Sequence, residues 1–427
     1  MLGGRHIATA VRAAVLTAAL FAASCLGEKY EGPDPDAPRR TVLFYLAGDN
    51  DLGELSRIPE LLRAAWIHTG NRCLIYYDAP DAAPVLLSLR GGCATYPTPF
   101  VETLAEYPEE NSASAEVFAR VVRDMTRIYP SESYGLVFTS HASGWLPEGA
   151  LADPQGIRAA AGVAAPVSGP DAAGRGSRSI GKDTAPGSMG TDATEMELAD
   201  FAAAIPDGQF DFIVFETCLT AGVEVAYELR DKTDYLVASS AELLSPGFIP
   251  VYEQGASRLL FDTSLPVAEA LTAFASRYFD YMNAQSGAYR SATVSVIRTS
   301  GMEPLAALAA EIYGRTTSDP AAPGDLQHFD RPGSYGDSPT RARYFDFGEY
   351  MARIAPSDAV QRLDEALRGT VVWKAATPEF LPGYNGFRID RHSGLTTYIE
   401  LPEFPALNAA YRRTAWYGAM RKTNSDN

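Results

Sequence analysis

Hydrophobic residues from position 41 onward fall in short, nearly continuous runs separated by longer stretches of helical character. Five runs are predicted as buried strands, at 41–47, 73–79, 134–140, 210–216 and 235–240. The stretches 52–66 and 114–128 are predicted as helices, the second because its apolar residues recur at helical spacing. This alternation is typical of a mostly parallel sheet with helices on both faces, so the predicted fold class is α/β.

The residues beyond about position 255 follow a different pattern, in which helices outnumber strands. Helices are predicted near 266–282, 303–313, 344–354 and 358–367, and strands near 292–297 and 396–401. This mixture predicts an α+β region, 256–427, packed on the preceding domain. Periodicity alone leaves two arrangements open, a second lobe or an extension of the first sheet.

Residues 146–192 interrupt the alternation with a long tract rich in Gly, Ala and Pro. The tract has almost no apolar periodicity, which predicts a mobile insertion between the third strand and a helix at 194–205. Sites in parallel sheets gather at the carboxyl ends of the strands, so an insertion that follows a strand lies beside such a site.

The first 24 residues have the composition of a secretory signal peptide. Arg5 and Arg12 precede an apolar run at 13–23 that is too short to span a bilayer. Small residues then lead into Cys25, as at a bacterial lipoprotein cleavage site; ordinary cleavage or a buried cysteine is the alternative. With a lipid on Cys25, residues 25–40 form a tether. The protein is then an exported cell-envelope lipoprotein, periplasmic or on the cell surface, with the outer membrane as one candidate location.

The overall composition is that of a folded protein with excess negative charge. Hydrophobic residues make up 46% and charged residues 21%, which excludes a largely disordered or coiled-coil chain. Lys and Arg number 36 against 53 Asp and Glu, which gives a formal net charge of −17. Such a chain is a poor partner for phosphates, so nucleic acid is not predicted among its partners.

Three cysteines follow Cys25, and an exported protein folds in a compartment where two of them can pair. Cys73 and Cys93 lie 20 residues apart on either side of a predicted strand and loop, which makes them the candidate disulfide; two free thiols are the alternative. Cys218 then remains an unpaired thiol. The sequence contains no CxxC or HExxH motif and no His/Cys cluster, so no metal site is predicted.

Two residues able to carry chemistry follow the predicted strands at matching points. His141 directly follows the third strand, and Cys218 lies two residues past the end of the fourth. If these strands are neighbours, about 5 Å apart, both side chains reach one crevice and a base lies beside a thiol. A helix predicted from about 219 to 229 would place the thiolate at its positive end, which lowers a thiol pKa. Either residue alone more often has a structural role. Because both occur at matching strand ends, a role in nucleophilic catalysis is as well supported as a structural one.

Three segments around these residues resemble the clostripain family of cysteine peptidases, whose fold is caspase-like. They are YGLVFTSHASGW (134–145), FIVFETCL (212–219) and YLVASSAE (235–242). The segments YLAGDNDL (45–52) and SRSIGKD (177–183) resemble the family as well. The likeness spans about 41–255 and implies a caspase-like catalytic domain there, with the C-terminal α+β region as an elaboration.

The resemblance implies a role for each candidate residue. Cys218 is the implied nucleophile and His141 the general base and acid, while the backbone N–H groups of Cys218 and Ala142 form the oxyanion hole. Two positions depart from the family pattern. The residue after the histidine is commonly Gly and is Ala142 here, and the acid two residues before the nucleophile is usually Asp and is Glu216 here.

Related peptidases cleave after Arg or Lys, which a carboxylate at the base of the primary pocket explains by pairing with the substrate cation. The resemblance assigns this role to Glu216, with Glu242 as a helper; a solvated or capping acid is the alternative. In this family the loop between the His and the Cys can be cut. Arg178 and Lys182 are the self-cleavage candidates here. The alternative is a disordered surface loop that is not cut.

The predicted function is therefore a cysteine endopeptidase that acts on peptides or proteins and is held at a membrane by its N-terminal lipid. No obligate cofactor is implied; some relatives need calcium, but no calcium site is identifiable in the sequence. The alternative is a catalytically inactive surface lipoprotein of the same fold that binds peptides or glycans. Ala142 and Glu216, the two departures from the family pattern, keep that alternative open.

Overall fold

The computed structural model describes residues 40–48, 52–80, 82–151, 154, 180–184, 193–316, 323–333 and 341–421. The predicted signal peptide 1–24, the lipidation site Cys25 and the self-cleavage candidate Arg178 lie outside the described residues, as does nearly all of the tether 25–40. Within the described ranges, no helix is both long and apolar enough to cross a membrane.

The strands and helices follow the predicted alternation through the first half of the chain. The strands are β1 (Arg40–Ala47), β2 (Arg72–Ala79), β3 (Ala82–Arg90), β4 (Phe100–Glu106), β5 (Ser133–Thr139), β6 (Ile180–Thr184), β7 (Ala193–Met196), β8 (Phe210–Glu216), β9 (Thr233–Ala238), β10 (Thr293–Arg298), β11 (Phe345–Asp346), β12 (Val371–Ala376), β13 (Glu379–Phe380), β14 (Phe387–Arg388) and β15 (Thr396–Thr397). The α-helices are α1 (Ile58–Ala65), α2 (Ala115–Ile128), α3 (Leu198–Ala203), α4 (Val223–Glu228), α5 (Ile249–Glu253), α6 (Val267–Asn283), α7 (Met302–Arg315), α8 (Phe347–Ile354), α9 (Ser357–Thr370), α10 (Pro405–Tyr411) and α11 (Ala415–Met420).

Nine strands form one mixed sheet in the order β12-β10-β9-β8-β5-β1-β2-β3-β4. The five central strands, from β9 to β2, are parallel. The two strands on each flank pair antiparallel. The predicted α/β class is confirmed, although only the centre of the sheet is parallel. The sequence pattern does not predict β3 and β4, because exposed or half-buried positions interrupt their apolar residues.

The C-terminal region extends this sheet. Both β10 and β12 come from beyond residue 255, and β10 pairs antiparallel with β9 on one side and with β12 on the other. Of the two arrangements that periodicity leaves open, the structure therefore has the extension of the first sheet. This connection brings C-terminal loops toward the strand ends of the N-terminal half.

The central strands are buried on both faces. All eight positions of β1 are buried. Leu43 and Tyr45 pack in one apolar cluster, and Val42 and Phe44 pack in the other. Successive side chains of a strand point to opposite faces, so a sheet covered on both sides needs an unbroken apolar run. This is why the central strands can be predicted from the sequence.

Two helix predictions and the predicted insertion need correction. Residues 52–66 form a 3₁₀ turn, Gly53–Arg57, before α1 begins. The helix predicted at 194–205 is the shorter α3, because Ala193–Met196 pairs as β7 with β6. The insertion 146–192, predicted to lack regular structure, contains β6. Pattern reasoning misses β6 because Ile180 is its only large apolar residue, and one such residue leaves no periodicity.

The predicted disulfide between Cys73 and Cys93 is not formed, and both residues are free thiols. Cys73 is fully buried in β2, and that burial raises its pKa well above the ordinary value. Continuing the register from Leu74 opposite Ser88 places position 89 opposite Cys73, whereas Cys93 lies four residues farther along. Beyond Arg90, where β3 ends, the chain turns at Gly91 and Gly92, whose φ values are 71° and 73°, before it reaches Cys93.

Candidate active site

The candidate site lies at the carboxyl ends of β5 and β8, which are parallel neighbours. Their register pairs Thr139 with Glu216, so His141 and Cys218 each lie two residues past that pair. Neighbouring strands are about 4.8 Å apart, which brings both residues to the same edge of the sheet. His141 is only 8% exposed, whereas Cys218 is partly exposed. A thiol that solvent can reach therefore lies at the same strand edge as a shielded imidazole.

Backbone hydrogen bonds tie the loop that carries Cys218 to the chain after β9. Leu219 donates its N–H to the Ala241 carbonyl at 3.0 Å, and Ala221 donates to the Ser239 carbonyl at 2.9 Å. Leu219 has a left-handed φ of 58°, which costs a residue with a Cβ about 1 kcal/mol or more. The chain thus turns sharply directly after the candidate nucleophile, and the loop's partners beyond β9 hold that turn in place.

A backbone amide contacts the Cys218 sulfur. The Leu243 N–H donates to Sγ at 3.3 Å. The sulfur also lies 3.9 Å from the Leu243 carbonyl oxygen, to which the thiol can donate. Helix α4, by contrast, begins only at Val223, with Gly222 as its N-cap. Because a helix dipole acts within the first turn, the expectation that Cys218 lies at a helix N-terminus is wrong.

The loop that carries His141 is packed between the nucleophile loop and β6. Gly144 has a φ of +63°, and a Cβ there would lie 2.3 Å from the Leu219 carbonyl oxygen. Only glycine fits both the conformation and the space. On the other side, the Gly181 N–H donates to the His141 carbonyl at 2.9 Å. The His141 loop therefore lies close to the nucleophile loop on one side and is hydrogen-bonded to β6 on the other.

Ala142, where the family commonly has Gly, is 1% exposed and packs in the apolar core. It forms an antiparallel bridge with Ile180, and the hydrogen bond from Gly181 to His141 flanks this bridge. In an antiparallel pair that is closed by its flanking residues, the central N–H points away from the partner strand. The Ala142 N–H therefore points away from β6.

Glu216 is 6% exposed, and its carboxylate accepts three hydrogen bonds. The donors are Thr139 Oγ1 at 3.0 Å, the Phe248 N–H at 2.6 Å and the Tyr252 hydroxyl at 3.0 Å. Burial raises the pKa of Glu216 to about 7, because the loss of hydration outweighs these donors. A substrate cation would compete with all three donors, so the pocket role of Glu216 stays a prediction, whereas its contact with the 248–252 segment is direct.

Glu242, the predicted helper, is paired with an arginine of the C-terminal region. Arg331 Nε lies 2.6 Å from Oε2, and Nη2 lies 2.9 Å from Oε1, which is a bidentate geometry. The two side chains are 19% and 17% exposed. Sequence reasoning missed Arg331 because it lies 89 residues from Glu242 and belongs to no motif.

The C-terminal region also contacts the loops of the site. The Tyr344 hydroxyl donates to the Ser143 carbonyl at 2.6 Å. His392 Nε2 lies 3.3 Å from Ser240 Oγ. Burial lowers the pKa of His392 to about 3, so its ring is neutral at pH 7. Among the described residues, no group of three or more His, Cys, Asp or Glu is arranged to hold a metal ion.

A caspase-like α/β sheet with a cysteine and a histidine past neighbouring parallel strands defines a cysteine peptidase, which is a hydrolase. The chain is similar to the clostripain family of these enzymes. The model described as "Clostripain family" matches residues 173–325, a stretch that contains Cys218 but not His141.

Solved structures of relatives share the fold over most of this chain. An inactive zymogen C11 protease from Parabacteroides distasonis is 25% identical, with a TM-score of 0.72 over 91% of this chain and 99% of its own. A secreted C11 cysteine protease from Bacteroides thetaiotaomicron, in complex with an irreversible peptide inhibitor, is 26% identical, with a TM-score of 0.69 over 89% of this chain and 98% of its own. No curated protein matches the chain.

Proposed function

We propose that this chain is an endopeptidase that uses Cys218 as the nucleophile and His141 as the general base and acid. The observation that carries the proposal is the matched position of these residues past β5 and β8, together with a backbone N–H on the sulfur. The irreversible peptide inhibitor bound to the Bacteroides thetaiotaomicron relative supports peptides as substrates.

The proposed reaction has two halves. His141 takes the thiol proton of Cys218, and the sulfur adds to the peptide carbonyl carbon. His141 then gives that proton to the amine nitrogen as the C–N bond breaks, which leaves a thioester. A water molecule gives a proton to His141 and adds to the thioester carbonyl. The C–S bond breaks, the carboxylic acid leaves, and the proton returns to the sulfur.

The oxyanion of each tetrahedral intermediate accepts hydrogen bonds from the N–H groups of Cys218 and Ala142. The direction of the Ala142 N–H, away from β6, supports this assignment. A donor of this kind contributes about 3–4 kcal/mol to the stabilisation of a transition state. The methyl group of Ala142 packs in the core, so the replacement of the usual glycine keeps the donor.

We assign a preference for Arg or Lys before the scissile bond to the carboxylates beside the nucleophile. Glu242 is the stronger candidate because its side chain is 17% exposed and the next residue, Leu243, contacts the sulfur. Glu216 is enclosed by three donors, and with a pKa of about 7 it is roughly half protonated at pH 7. It therefore offers less charge to a substrate cation.

We also propose that the loop between His141 and Cys218 is cut after Arg178. The other candidate, Lys182, lies within β6, where its N–H donates to Ser140 Oγ at 3.0 Å. The next residue, Asp183, accepts hydrogen bonds from both the N–H and the hydroxyl of Ser112. Lys182 could reach the nucleophile only if β6 detached. The description of the Parabacteroides distasonis relative as an inactive zymogen supports a form that requires processing.

Intact mass tests the processing proposal. The parent chain should split after Arg178 on incubation, and Arg178→Gln should stay whole while Lys182→Gln is still cut. Cys218→Ala should remain whole as well. An uncut parent chain with full activity would reject self-processing and leave the peptidase assignment in place.

The proposed location is the cell envelope, with a lipid on Cys25 as the anchor. A lipid adds about 0.8 kcal/mol of membrane affinity for each buried CH₂, so its loss should release the protein. Cys25→Ala should therefore move the protein from the membrane fraction to the soluble fraction and lower its intact mass by the lipid. An unchanged distribution between the two fractions would reject the anchor.

A thiol-directed peptide probe with a terminal Lys tests the catalytic assignment directly. The probe should label the parent protein at Cys218 and should fail to label Cys218→Ala. Cys93→Ala is the matched control, because Cys93 is also a partly exposed thiol and should leave labelling unchanged. A parent protein that folds but takes up no probe would favour the alternative, an inactive protein that binds peptides or glycans.

A further inference from the structure

The ion pair between Arg331 and Glu242 lies close to the candidate nucleophile. Glu242 stands between Ala241, whose carbonyl accepts the Leu219 N–H at 3.0 Å, and Leu243, whose N–H contacts the Cys218 sulfur at 3.3 Å. The chain on both sides of Glu242 therefore contacts the nucleophile loop. The carboxylate emerges from this segment and is covered by the guanidinium of Arg331.

The contact between the two side chains has the geometry of substrate recognition. Two nitrogens of Arg331 face the two oxygens of Glu242 at 2.6 and 2.9 Å. A carboxylate that binds the arginine of a substrate uses the same bidentate arrangement. One carboxylate cannot hold two guanidinium groups in this way, so Arg331 and a basic substrate side chain compete for the same atoms.

A surface turn contributes to the position of Arg331. Its Nη1 lies 3.3 Å from the Tyr384 carbonyl, and Asn385 Nδ2 donates to the Pro332 carbonyl at 2.8 Å. Tyr384 is 68% exposed, and Leu381 and Asn385 have left-handed φ values of 45° and 53°. The Arg331 side chain thus bridges Glu242 and this surface turn.

We propose that Arg331 is a specificity-determining residue that occupies Glu242 and lowers the affinity of the site for Arg and Lys side chains. The inference rests on the proposed preference for basic residues and deepens it. A basic substrate binds by displacing Arg331 from Glu242, and a substrate with a neutral side chain in the same pocket leaves the ion pair intact. Arg331 therefore reduces the difference between the two classes of substrate.

Peptide binding to the full-length chain carrying Cys218→Ala, cut after Arg178 beforehand by a trace of the parent enzyme, separates this inference from catalysis. The probes are two short acetylated peptides that differ only in a C-terminal Arg or Leu, and calorimetry measures their Kd. Adding Arg331→Gln should tighten binding of the Arg peptide by about tenfold, because the competing bidentate pair is gone. Binding of the Leu peptide should change by less than about twofold. In the active enzyme the same change should lower KM for Arg substrates and leave kcat nearly unaltered.

Two further variants control for charge and folding. Arg388→Gln removes an exposed arginine of the same region, which pairs only loosely with Asp390 at 3.2 Å, and should change neither peptide. Arg331→Lys keeps the charge but loses the planar fork, so it should give a smaller gain of the same sign. If Arg331→Gln does not fold, Arg331→Lys replaces it in the peptide-binding measurement. Combining Glu242→Gln with Arg331→Gln should abolish the gain in affinity for the Arg peptide.

An Arg331→Gln protein that melts like the parent and binds the Arg peptide no better, or less well, would overturn the inference. Equal gains for the Arg and Leu peptides would do the same, since they would indicate a general opening of the site. Failure of the proposed function has a different signature, the absence of probe labelling at Cys218 in the parent protein.

Discussion

Two walls of the candidate site are built in different ways. The strand wall consists of the loops after β5 and β8, residues 140–145 and 217–222, and backbone hydrogen bonds and a close contact at Gly144 hold it. The pocket wall consists of Glu242, Arg331 and the turn at 381–386, and it depends on side-chain contacts between distant parts of the chain. The proposed catalytic residues lie on the first wall, and the proposed specificity-determining residue lies on the second.

The difference makes the two walls separable by mutation. A backbone hydrogen bond survives most substitutions, so the strand wall changes only where a side chain does chemistry or where space admits only glycine. The pairing on the pocket wall is lost when one side chain is removed. Changes on the strand wall should therefore abolish turnover or folding, whereas the Arg331 variants described above should shift substrate preference.

The largest effect is expected from His141→Ala on the strand wall. Without a base, the thiol loses its proton only to solvent, so kcat/KM should fall by roughly 10³-fold or more and should recover partly as pH rises. Steady-state kinetics from pH 6 to 10 measure this loss. His68→Ala, on the half-buried histidine after α1, is the control and should retain full activity. A His141→Ala enzyme within tenfold of the parent would contradict the dyad.

Gly144→Ala should break the contact between the two loops of the strand wall. A Cβ would lie 2.3 Å from the Leu219 carbonyl oxygen at a φ of +63°, so we expect a loss of about 3–4 kcal/mol in the free energy of unfolding, with a fall in kcat. Gly149→Ala is the matched control, because its φ is +90° but nothing lies within 4 Å. It should cost only about 1 kcal/mol. Urea denaturation measures both losses. If Gly144→Ala and Gly149→Ala lost the same free energy of unfolding, close packing at Gly144 would not contribute to stability.

Glu216 should make stability depend on pH. Burial raises its pKa from 4.5 to about 7, so the folded protein binds the proton more tightly than the unfolded chain. The resulting stability is complete below pH 4.5 and is lost as pH rises through 7, by at most about 3 kcal/mol. Glu216→Gln should flatten the unfolding free energy across this window. Part of the slope should remain, because burial also raises the pKa of Glu224 to about 7.

Urea denaturation at several pH values between 4.5 and 8.5 measures this slope. Glu106→Gln, on an exposed residue at the end of β4, is the control and should leave the slope as it is in the parent. A Glu216→Gln protein with the parent's slope would mean that another group is responsible for it.

The smallest effect is expected from the cysteines outside both walls. Cys93 is partly exposed and should react with iodoacetamide in the native protein, whereas buried Cys73, whose pKa burial raises, should react only after unfolding. Mass spectrometry of labelled peptides measures both, and Cys93→Ala should not change activity. Recovery of a peptide that contains both cysteines joined would restore the disulfide prediction.

Much of the strand wall could be predicted from the sequence. The run at 210–216 coincides with β8, and the runs at 41–47 and 134–140 match β1 and β5 to within one residue at each end. Buried parallel strands need unbroken apolar runs, so their positions are visible in the pattern. The positions of His141 and Cys218 relative to those ends then led to the candidate pair. The late start of α4 has a sequence signal that the helix prediction overlooks, because Gly222 is a poor helix former and a favoured N-cap residue.

The central strands, the α/β class and the two residues at the strand ends follow from local sequence patterns. Apolar periodicity records burial over stretches of ten to twenty residues, and that suffices for these features. Three other features depend on the folded arrangement of the chain: β10 and β12 join the same sheet, three donors surround Glu216 and Arg331 covers Glu242. These contacts join residues far apart in the chain, and their choice depends on how the whole chain closes on itself, which no local pattern encodes.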